Sequence, residues 1–283
     1  MIKQIIKSKV SSETLVRYHY YKVFKRRLRL NPPILFSEKI QYIKLYDKNP
    51  LYSTLVDKVE VKKYVSKVLG NKDNYIIPTL GVWDSFDQID FNELPKKFVL
   101  KCNHDSGSYI IVKDKEKLDK NFAKTKLEKA LNKNFYEVGR EWAYKNVTPK
   151  IMAEKYIEDS KTKDLNDYKF YCFNGKVDCV MICTERDSGN TKFYFFDKQW
   201  KFKKYNTSSL QIDSNFTLPK PEKFDEMITL AEKLSTGLKF VRIDLYYVNG
   251  SIYFGEYTLY PLSGYDANLL AETDKYFGSK IDL

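Results

Sequence analysis

The hydrophobic pattern changes from helical to strand-like along the chain. Before residue 70, apolar residues recur every three or four positions. An example is the segment that opens at Val56-Asp57-Lys58, stops at Gly70 and carries Val61, Tyr64, Val65 and Val68 on one side. After Pro149 the apolar residues form short β-rich runs instead. The pattern predicts helices first and antiparallel strands later, which is the α+β class.

Three hairpins are predicted from pairs of β-rich runs. Residues 98–102 and 108–112 flank a polar loop at 103–107, while Asn174-Gly175 and Asn249-Gly250 each separate two further runs. Asn-Gly between β-rich runs is a strong hairpin signal. Two helices are also expected, one at 115–134 with Leu118, Phe122, Leu127 and Leu131 inward, and one from about Glu222 to Leu234.

Composition excludes several classes of protein. With 283 residues, 43% of them hydrophobic and 16% aromatic, the chain has enough apolar surface for a core. No apolar run is long enough to span a membrane and the first residues lack a signal-peptide pattern, so we expect a cytoplasmic protein. Four cysteines without a C-x-x-C pair, beside only two histidines, indicate reduced thiols rather than a zinc site.

The net charge of +12 is concentrated at the start of the chain. Residues 1–30 hold nine Lys and Arg against the single acid Glu13, and apolar residues are interleaved with them. This pattern is typical of basic amphipathic helices, which make peripheral contact with an anionic membrane, bind an acidic polymer or form a solvated helical extension. No nucleic-acid-binding motif accompanies the charge, so no nucleic-acid partner is expected.

Common nucleotide and hydrolase motifs are missing. The chain has neither a Rossmann glycine fingerprint nor a P-loop. His104-Asp105-Ser106 contains the residue types of a hydrolytic triad, but consecutive side chains diverge, whereas a triad converges from separate segments.

Ionisable residues interrupt apolar strands at two places. Lys101 ends a strand beside the polar loop, where an ammonium group and backbone N–H groups suit a phosphate. Arg242 and Asp244 lie on one arm of the last hairpin, with Glu256 and Thr258 on the other. Two carboxylates and a hydroxyl on one face suit Mg²⁺.

That metal site depends on the register of the hairpin. Because Val241, Ile243 and Leu245 are expected to face the core, even-numbered residues would face a cleft. A regular two-residue turn at Asn249-Gly250 would put Asp244 and Glu256 on opposite faces. We therefore predict a three-residue turn, or else a bulge that shifts one arm, with the two carboxylates within about 5 Å.

Several long segments resemble the TupA-like (teichuronopeptide biosynthesis) branch of the ATP-grasp superfamily. They are LYDKNPLY with LVDK, IIPTLGVWDSFDQIDFNELPKKFVLKCNHDSG, REWAYKNVTPKIMAEKYIED, DYKFYCFNGK and FVRIDLYYVNGSIYFGEYTLYPLSG. The charge pattern predicts a basic helical extension at 1–36. The resemblance, which runs from about Ser37 to the C-terminus, implies an N-terminal subdomain at 37–95, a lid at 96–155 and a C-terminal subdomain with an antiparallel sheet and a packed helix at 156–283.

The resemblance also implies roles for individual residues. Arg242 and Lys101 would act on the reacting groups, and Asp244, Glu256 and Thr258 would hold Mg²⁺. ATP would be bound by Lys58, Lys101, Ser106, Gly107, Glu154, Lys155, Tyr156, Ile157, Asp167 and Lys169. Two departures from the family pattern stand out, since Thr258 replaces the usual asparagine and the lid loop has one glycine, Gly107.

The implied reaction joins a carboxylate to an amine through an acyl phosphate, with ATP and Mg²⁺ as cofactors. A carboxylate-bearing saccharide or peptide acceptor in capsular or cell-wall polysaccharide biosynthesis is the expected substrate. Two alternatives remain open: a glycosyltransferase, for which the chain lacks the D-x-D motif, and a non-catalytic polymer- or membrane-binding protein.

Overall fold

Two antiparallel sheets organise the chain in a computed structural model that describes residues 10–160, 165–185 and 189–283. The smaller, called here the lid sheet, has the order β1-β4-β2-β3 and the larger the order β10-β9-β5-β6-β7-β8. The lid strands are β1 (Thr79–Trp83), β2 (Phe98–Cys102), β3 (Tyr109–Val112) and β4 (Ile151–Lys155). The strands of the large sheet are β5 (Asp167–Phe173), β6 (Lys176–Thr184), β7 (Lys192–Asp197), β8 (Phe202–Lys203), β9 (Phe240–Val248) and β10 (Ser251–Thr258).

Helices pack on both sheets. Helix α7 (Phe224–Ser235) lies on the large sheet with Met227, Ala231 and Leu234 buried, and helix α5 (Lys120–Leu131) covers the lid sheet with Ala123 and Leu127 buried. The described helices are α1 (Ser12–Phe24), α2 (Phe36–Tyr46), α3 (Leu51–Val56), α4 (Glu60–Val68), α5 (Lys120–Leu131), α6 (Tyr136–Gly139), α7 (Phe224–Ser235) and α8 (Ala271–Ser279). This combination confirms the predicted α+β class.

Each sheet has its own hydrophobic core. The large core joins the inner face of the large sheet to α2, α4, α7 and α8, whereas a smaller core fills the space between the lid sheet and α5. Val241, Ile243 and Leu245 of β9 are fully buried in the large core, as predicted, which leaves Arg242 and Asp244 on the opposite face. All four cysteines are buried and free of disulfides.

Helix α1 is docked on the protein, which corrects the interpretation of a solvated extension. Val16 and Tyr20 of α1 are buried with Leu28 and Leu30. Asp274 of α8 accepts hydrogen bonds from the Arg26 guanidinium at 2.8 Å and from the backbone N–H of Ser37 at 2.7 Å. The apolar residues needed for docking were visible in the pattern, but not their partner. Residues 1–9, with Lys3, Lys7 and Lys9, lie outside the described residues.

Other predictions need smaller corrections. The segment at 115–134 is helical only over Lys120–Leu131, and Phe122, expected inward, is 58% exposed in its first turn. Lys58 lies in the turn between α3 and α4. The Asp57 carboxylate accepts a hydrogen bond from the Val59 N–H at 2.8 Å, which favours the start of a new helix after this turn.

The four proposed subdomains stay a prediction, and strand β1 of the 37–95 segment is hydrogen-bonded into the lid sheet. In the part of the chain that the structure describes, no helix has the length and apolar character needed to cross a membrane.

Candidate active site

The turn of the last hairpin has two residues. Asn249 and Gly250 have φ values of 50° and 77°, and the flanking Val248 and Ser251 form the first strand pair. Two central residues with positive φ are typical of a type I′ turn, which Asn-Gly favours. The predicted three-residue turn is therefore wrong.

A bulge at Gly255 supplies the shift in register instead. Glu256 lies opposite Asp244, and Thr258 lies opposite Arg242, so that all four share one face. A Cβ atom at position 255 would lie 3.0 Å from the Asp244 carbonyl oxygen, which favours glycine at this close approach. The bulge offered as the alternative to the longer turn is thus confirmed.

Asp244 is the centre of a buried ionic cluster on the large sheet. Its carboxylate is 1% exposed and accepts two hydrogen bonds of 2.7 Å from the Arg242 guanidinium and one of 2.5 Å from the Lys169 ammonium. Asp167 also contacts Lys169. Burial alone would raise the pKa of Asp244, but Arg242 and Lys169 outweigh it and hold the pKa below its usual value. Asp244 is therefore ionised at neutral pH.

Glu256 completes a carboxylate pair that fits Mg²⁺. Its side chain is 44% exposed, and one of its oxygens lies 3.5 Å from the same Arg242 nitrogen that binds Asp244. Among the described residues no group of three or more His, Cys, Asp and Glu side chains is arranged for a metal. A two-carboxylate set completed by water and phosphate oxygens is a common magnesium site. The Thr258 hydroxyl accepts a hydrogen bond from the Arg242 guanidinium and donates one to the Glu256 carboxylate, which orients both side chains.

A second buried carboxylate, Glu154 on β4, occupies the centre of the lid sheet. Lys101 contacts one of its oxygens at 2.5 Å and Lys62 contacts the other at 2.6 Å. Burial would raise the pKa of Glu154, but the two lysines lower it overall. Sequence reasoning missed Lys62, although in the helix predicted to open at Val56-Asp57-Lys58 its spacing of four residues from Lys58 was a signal that both face the same region. Glu154 thus holds Lys62 and Lys101 in position. Its place under the adenine stays a prediction.

Lys58 connects helix α4 to the loop of the lid. Its ammonium donates to the Asp105 carbonyl oxygen, and its backbone N–H donates to the Asn103 carbonyl at 3.1 Å. Burial lowers the pKa of Lys58. The ammonium group is therefore poorly solvated, and an incoming anion would compensate for its lost hydration.

The lid loop is anchored in its first half and exposed in its second. Asn103 and His104 are buried, and the His104 ring lies 3.2 Å from the carbonyl oxygens of Ala130 and Lys133. His104 therefore holds the loop on α5 and does not activate the neighbouring Ser106. Ser106 and Gly107 form the exposed tip, and Gly107 has a φ of 96°.

One cleft of about 560 Å³ between the two sheets collects the predicted site residues. Thr258 is the exception, since it lines the neighbouring cavity. The predicted residues in the cleft are Lys58, Lys101, Ser106, Gly107, Glu154, Lys155, Tyr156, Ile157, Asp167, Lys169, Arg242, Asp244 and Glu256. The structure brings them together; their individual roles remain predictions.

Apolar side chains that the sequence reasoning did not single out also line the cleft. Val99 on β2 and Ile111 on β3 come from the lid, and Ile77 precedes β1. Val99 is two residues from Lys101, so the period of a strand places both on one face. These side chains form an apolar surface suited to a purine base, beside lysines suited to phosphates.

Comparison with known protein families places the chain in the ATP-grasp class. The chain belongs to the TupA-like ATP-grasp family, whose model matches residues 38–282. This confirms the resemblance found in the sequence. The cleft has lysines suited to the phosphates of ATP and a carboxylate pair suited to Mg²⁺.

Solved structures show more distant similarity. A D-alanine–D-alanine ligase from Bacillus anthracis complexed with ATP is 17% identical, with 73% of this chain and 54% of that chain covered and a TM-score of 0.40. The corresponding enzyme from Helicobacter pylori is 14% identical, with 87% and 69% covered and a TM-score of 0.43. The ATP-grasp ligase PsnB complexed with minimal precursor, Mg and ADP is 13% identical, with 75% and 52% covered and a TM-score of 0.38.

The chain spans little more than half the length of two of these three proteins. All three TM-scores lie below 0.5, so the family match alone carries the assignment. No curated protein matches the chain in sequence.

Proposed function

We propose that this chain joins a carboxylate to an amine at the expense of ATP, through an acyl phosphate. The observation that carries the proposal is the single cleft in which lid lysines face a pair of carboxylates on the large sheet. A carboxylate oxygen of the acceptor attacks the γ-phosphorus and the bond to the ADP oxygen breaks. The amine then attacks the acyl carbon, phosphate leaves and the amine loses a proton.

The side chains of the cleft supply positioning and electrostatic stabilisation rather than a nucleophile. Lys58 and Lys101 would hold the nucleotide phosphates, and Asp244 with Glu256 would hold Mg²⁺, which neutralises phosphate charge when bound. Arg242, fixed by two bonds to Asp244, presents its guanidinium to the reacting carboxylate. Asp167 remains the proposed contact of the ribose. The lid would exclude water that hydrolyses an acyl phosphate.

We further propose a role in capsular or cell-wall polysaccharide biosynthesis, in the cytoplasm. The support is the resemblance of the motifs to the teichuronopeptide branch. The substrates would be a saccharide or peptide that bears a carboxylate, and an amine.

Release of ADP and phosphate from ATP tests the reaction. The purified chain is incubated with Mg²⁺, ATP and pairs of uronic or amino acids with amines, and UDP-sugar hydrolysis is measured as the control for a glycosyltransferase. We expect ADP release that depends on both an acid and an amine. UDP-sugar hydrolysis without ADP release would contradict the proposal.

A contact between the N-terminus and an anionic membrane stays a prediction. The apolar side chains of Val16, Tyr20 and Leu28 are buried in the protein and cannot enter a bilayer, whereas Lys22 and Lys25 are exposed. Tyr18, Tyr21 and Val23 of the same helix are also exposed, so any attraction would combine an electrostatic contribution, which weakens with salt, with an apolar one. Sedimentation with acidic liposomes at low and high salt measures it.

A further inference from the structure

Two lysines near the start of helix α4 contact the lid, and only one of them lines the cleft. Lys58, in the turn before the helix, lines it, whereas Lys62 in the first turn does not. The ammonium of Lys62 lies 2.6 Å from one oxygen of the buried Glu154 carboxylate. The other oxygen lies 2.5 Å from Lys101, which does line the cleft. Glu154 is therefore shared between a lysine inside the cleft and a lysine outside it.

The position of Lys62 is fixed by acceptors on the lid sheet or next to it. Its ammonium donates to the Ile77 carbonyl at 2.7 Å and to the Thr79 hydroxyl at 2.8 Å. Together with Glu154, these acceptors match the three N–H groups of a lysine ammonium. Lys101 differs, because Glu154 is its one hydrogen-bond or ion-pair partner among residues 10–160, 165–185 and 189–283. Lys101 therefore has N–H groups left for a ligand, and Lys62 has none.

The charge of Lys62 affects what Lys101 can offer to a phosphate. The lid centre has one positive charge in excess, since three lysines stand against two acids, namely Lys58, Lys62 and Lys101 against Glu154 and Asp105. Without Lys62 this excess disappears, and the full negative charge of Glu154 acts on Lys101. The two side chains are only 7% and 19% exposed, so water screens their attraction weakly. Glu154 would then offset much of the attraction between Lys101 and a phosphate.

We propose that Lys62 is a positioning residue for nucleotide binding, which occupies one oxygen of Glu154 and so leaves the charge of Lys101 available to the phosphates of ATP. This role rests on the proposed function, in which Lys58 and Lys101 hold these phosphates. Lys62 acts through Glu154 and touches no substrate. Its effect therefore depends on the charge of Glu154 and on the phosphates of the ligand, and not on the base.

Binding of a non-hydrolysable ATP analogue and of adenosine separates these contributions. Calorimetry of the full chain with Mg²⁺ compares the wild type with Lys62→Gln, which removes the charge and keeps an amide donor. Lys62→Gln/Glu154→Gln removes both charges of the pair and so restores the single positive charge in excess. Lys63→Gln is the matched control, because the next residue of the same helix is 76% exposed and pairs with Glu60.

We expect the affinity for the ATP analogue to fall about tenfold in Lys62→Gln, which corresponds to about 1.4 kcal/mol, while the affinity for adenosine stays within about twofold. The double variant should recover to within about threefold of the wild type, because the two charges are coupled. Lys63→Gln should bind both ligands as the wild type does. Lys62→Arg keeps the charge and should retain binding of the analogue, so it tests the proposal even if Lys62→Gln does not fold.

Wild-type affinity for the ATP analogue in Lys62→Gln would overturn the inference. Equal losses for the analogue and for adenosine, or no recovery in the double variant, would also overturn it, because Lys62 would then act only on the shape of the lid. A comparable loss in Lys62→Arg would have the same meaning. Failure of the wild type to bind the ATP analogue would instead contradict the proposed function.

Discussion

Two buried carboxylates face the same cleft, each between two cations, yet their surroundings differ in net charge. Glu154 on the lid sheet and nearby Asp105 stand against three lysines, Lys58, Lys62 and Lys101. Asp244 on the large sheet stands with Asp167 and Glu256 against only Lys169 and Arg242. The lid centre therefore has an excess of positive charge and the sheet centre an excess of negative charge.

This difference explains how one cleft can hold both a polyphosphate and a divalent cation. The positive centre attracts phosphate, and the negative centre attracts Mg²⁺. Only the sheet centre has a second, partly exposed carboxylate placed opposite the buried one. Glu154 has no such neighbour, so we expect it to orient lysines and to maintain stability rather than to bind metal.

The largest effect is expected from Glu256→Gln, which keeps the shape of the side chain and removes its charge. Since this side chain is 44% exposed, the fold should survive, whereas ATP turnover should fall roughly 10²–10³-fold. ADP release and the melting temperature are measured together. Glu272→Gln, at an exposed position on α8, serves as the control, and equal turnover in both variants would remove the metal assignment.

Gly255→Ala tests whether the bulge aligns the carboxylate pair. The added methyl group would lie 3.0 Å from the Asp244 carbonyl oxygen, so the register near Glu256 must adjust. Turnover should fall by up to about 10²-fold, the scale of a 1 Å misplacement. Gly250→Ala changes the positive-φ turn of the same hairpin, where no atom lies within 4 Å, and should cost only about 1 kcal/mol of stability. Similar activity losses in both variants would argue against the bulge.

Lys101→Ala should weaken the binding of ATP at the positive lid centre. Loss of one phosphate contact is expected to reduce ATP affinity about tenfold, which lowers the stabilisation by saturating ATP by about 1.4 kcal/mol. The measurement is the melting temperature at several ATP concentrations. Lys124→Ala, on the outside of α5, leaves the cleft unchanged and should respond to ATP as the wild type does. An unchanged response in Lys101→Ala would contradict the assignment.

The smallest effect concerns stability in acid. The folded-state pKa values of Asp244 and Glu154 are lowered, so these groups stabilise the fold fully above about pH 5 and lose that contribution as the pH falls through their folded pKa values. The unfolding free energy of the wild type falls as the pH is lowered from about 5 into the acid range. In Glu154→Gln we expect this fall to be about 1 kcal/mol smaller, because the variant has no carboxylate to protonate at this position. Urea unfolding at several pH values across this range measures the unfolding free energy. The same dependence on pH in the variant and in the wild type would contradict the prediction.

Much of the site could be predicted from the local sequence. Strand periodicity separated Arg242 and Asp244 from the core-facing Val241 and Ile243, and Asn249-Gly250 identified the hairpin between the two acids. Motif order then identified the family, and all of the site residues predicted from it except Thr258 line the cleft. These features depend on neighbours within a few residues or on segment order, both of which a sequence displays directly.

Other features follow only from how distant segments pack. Gly255 is one of eleven glycines, and its bulge is visible only as a shift in strand pairing, because the choice of register is made by the partner strand and by burial on both sides. The sequence alone determined that basic residues precede an α+β chain with acids and lysines on its strands. The tertiary structure decided that Lys62 and Lys101 meet Glu154, and that helix α1 docks beside Tyr265, since contacts across many residues depend on packing and not on local pattern.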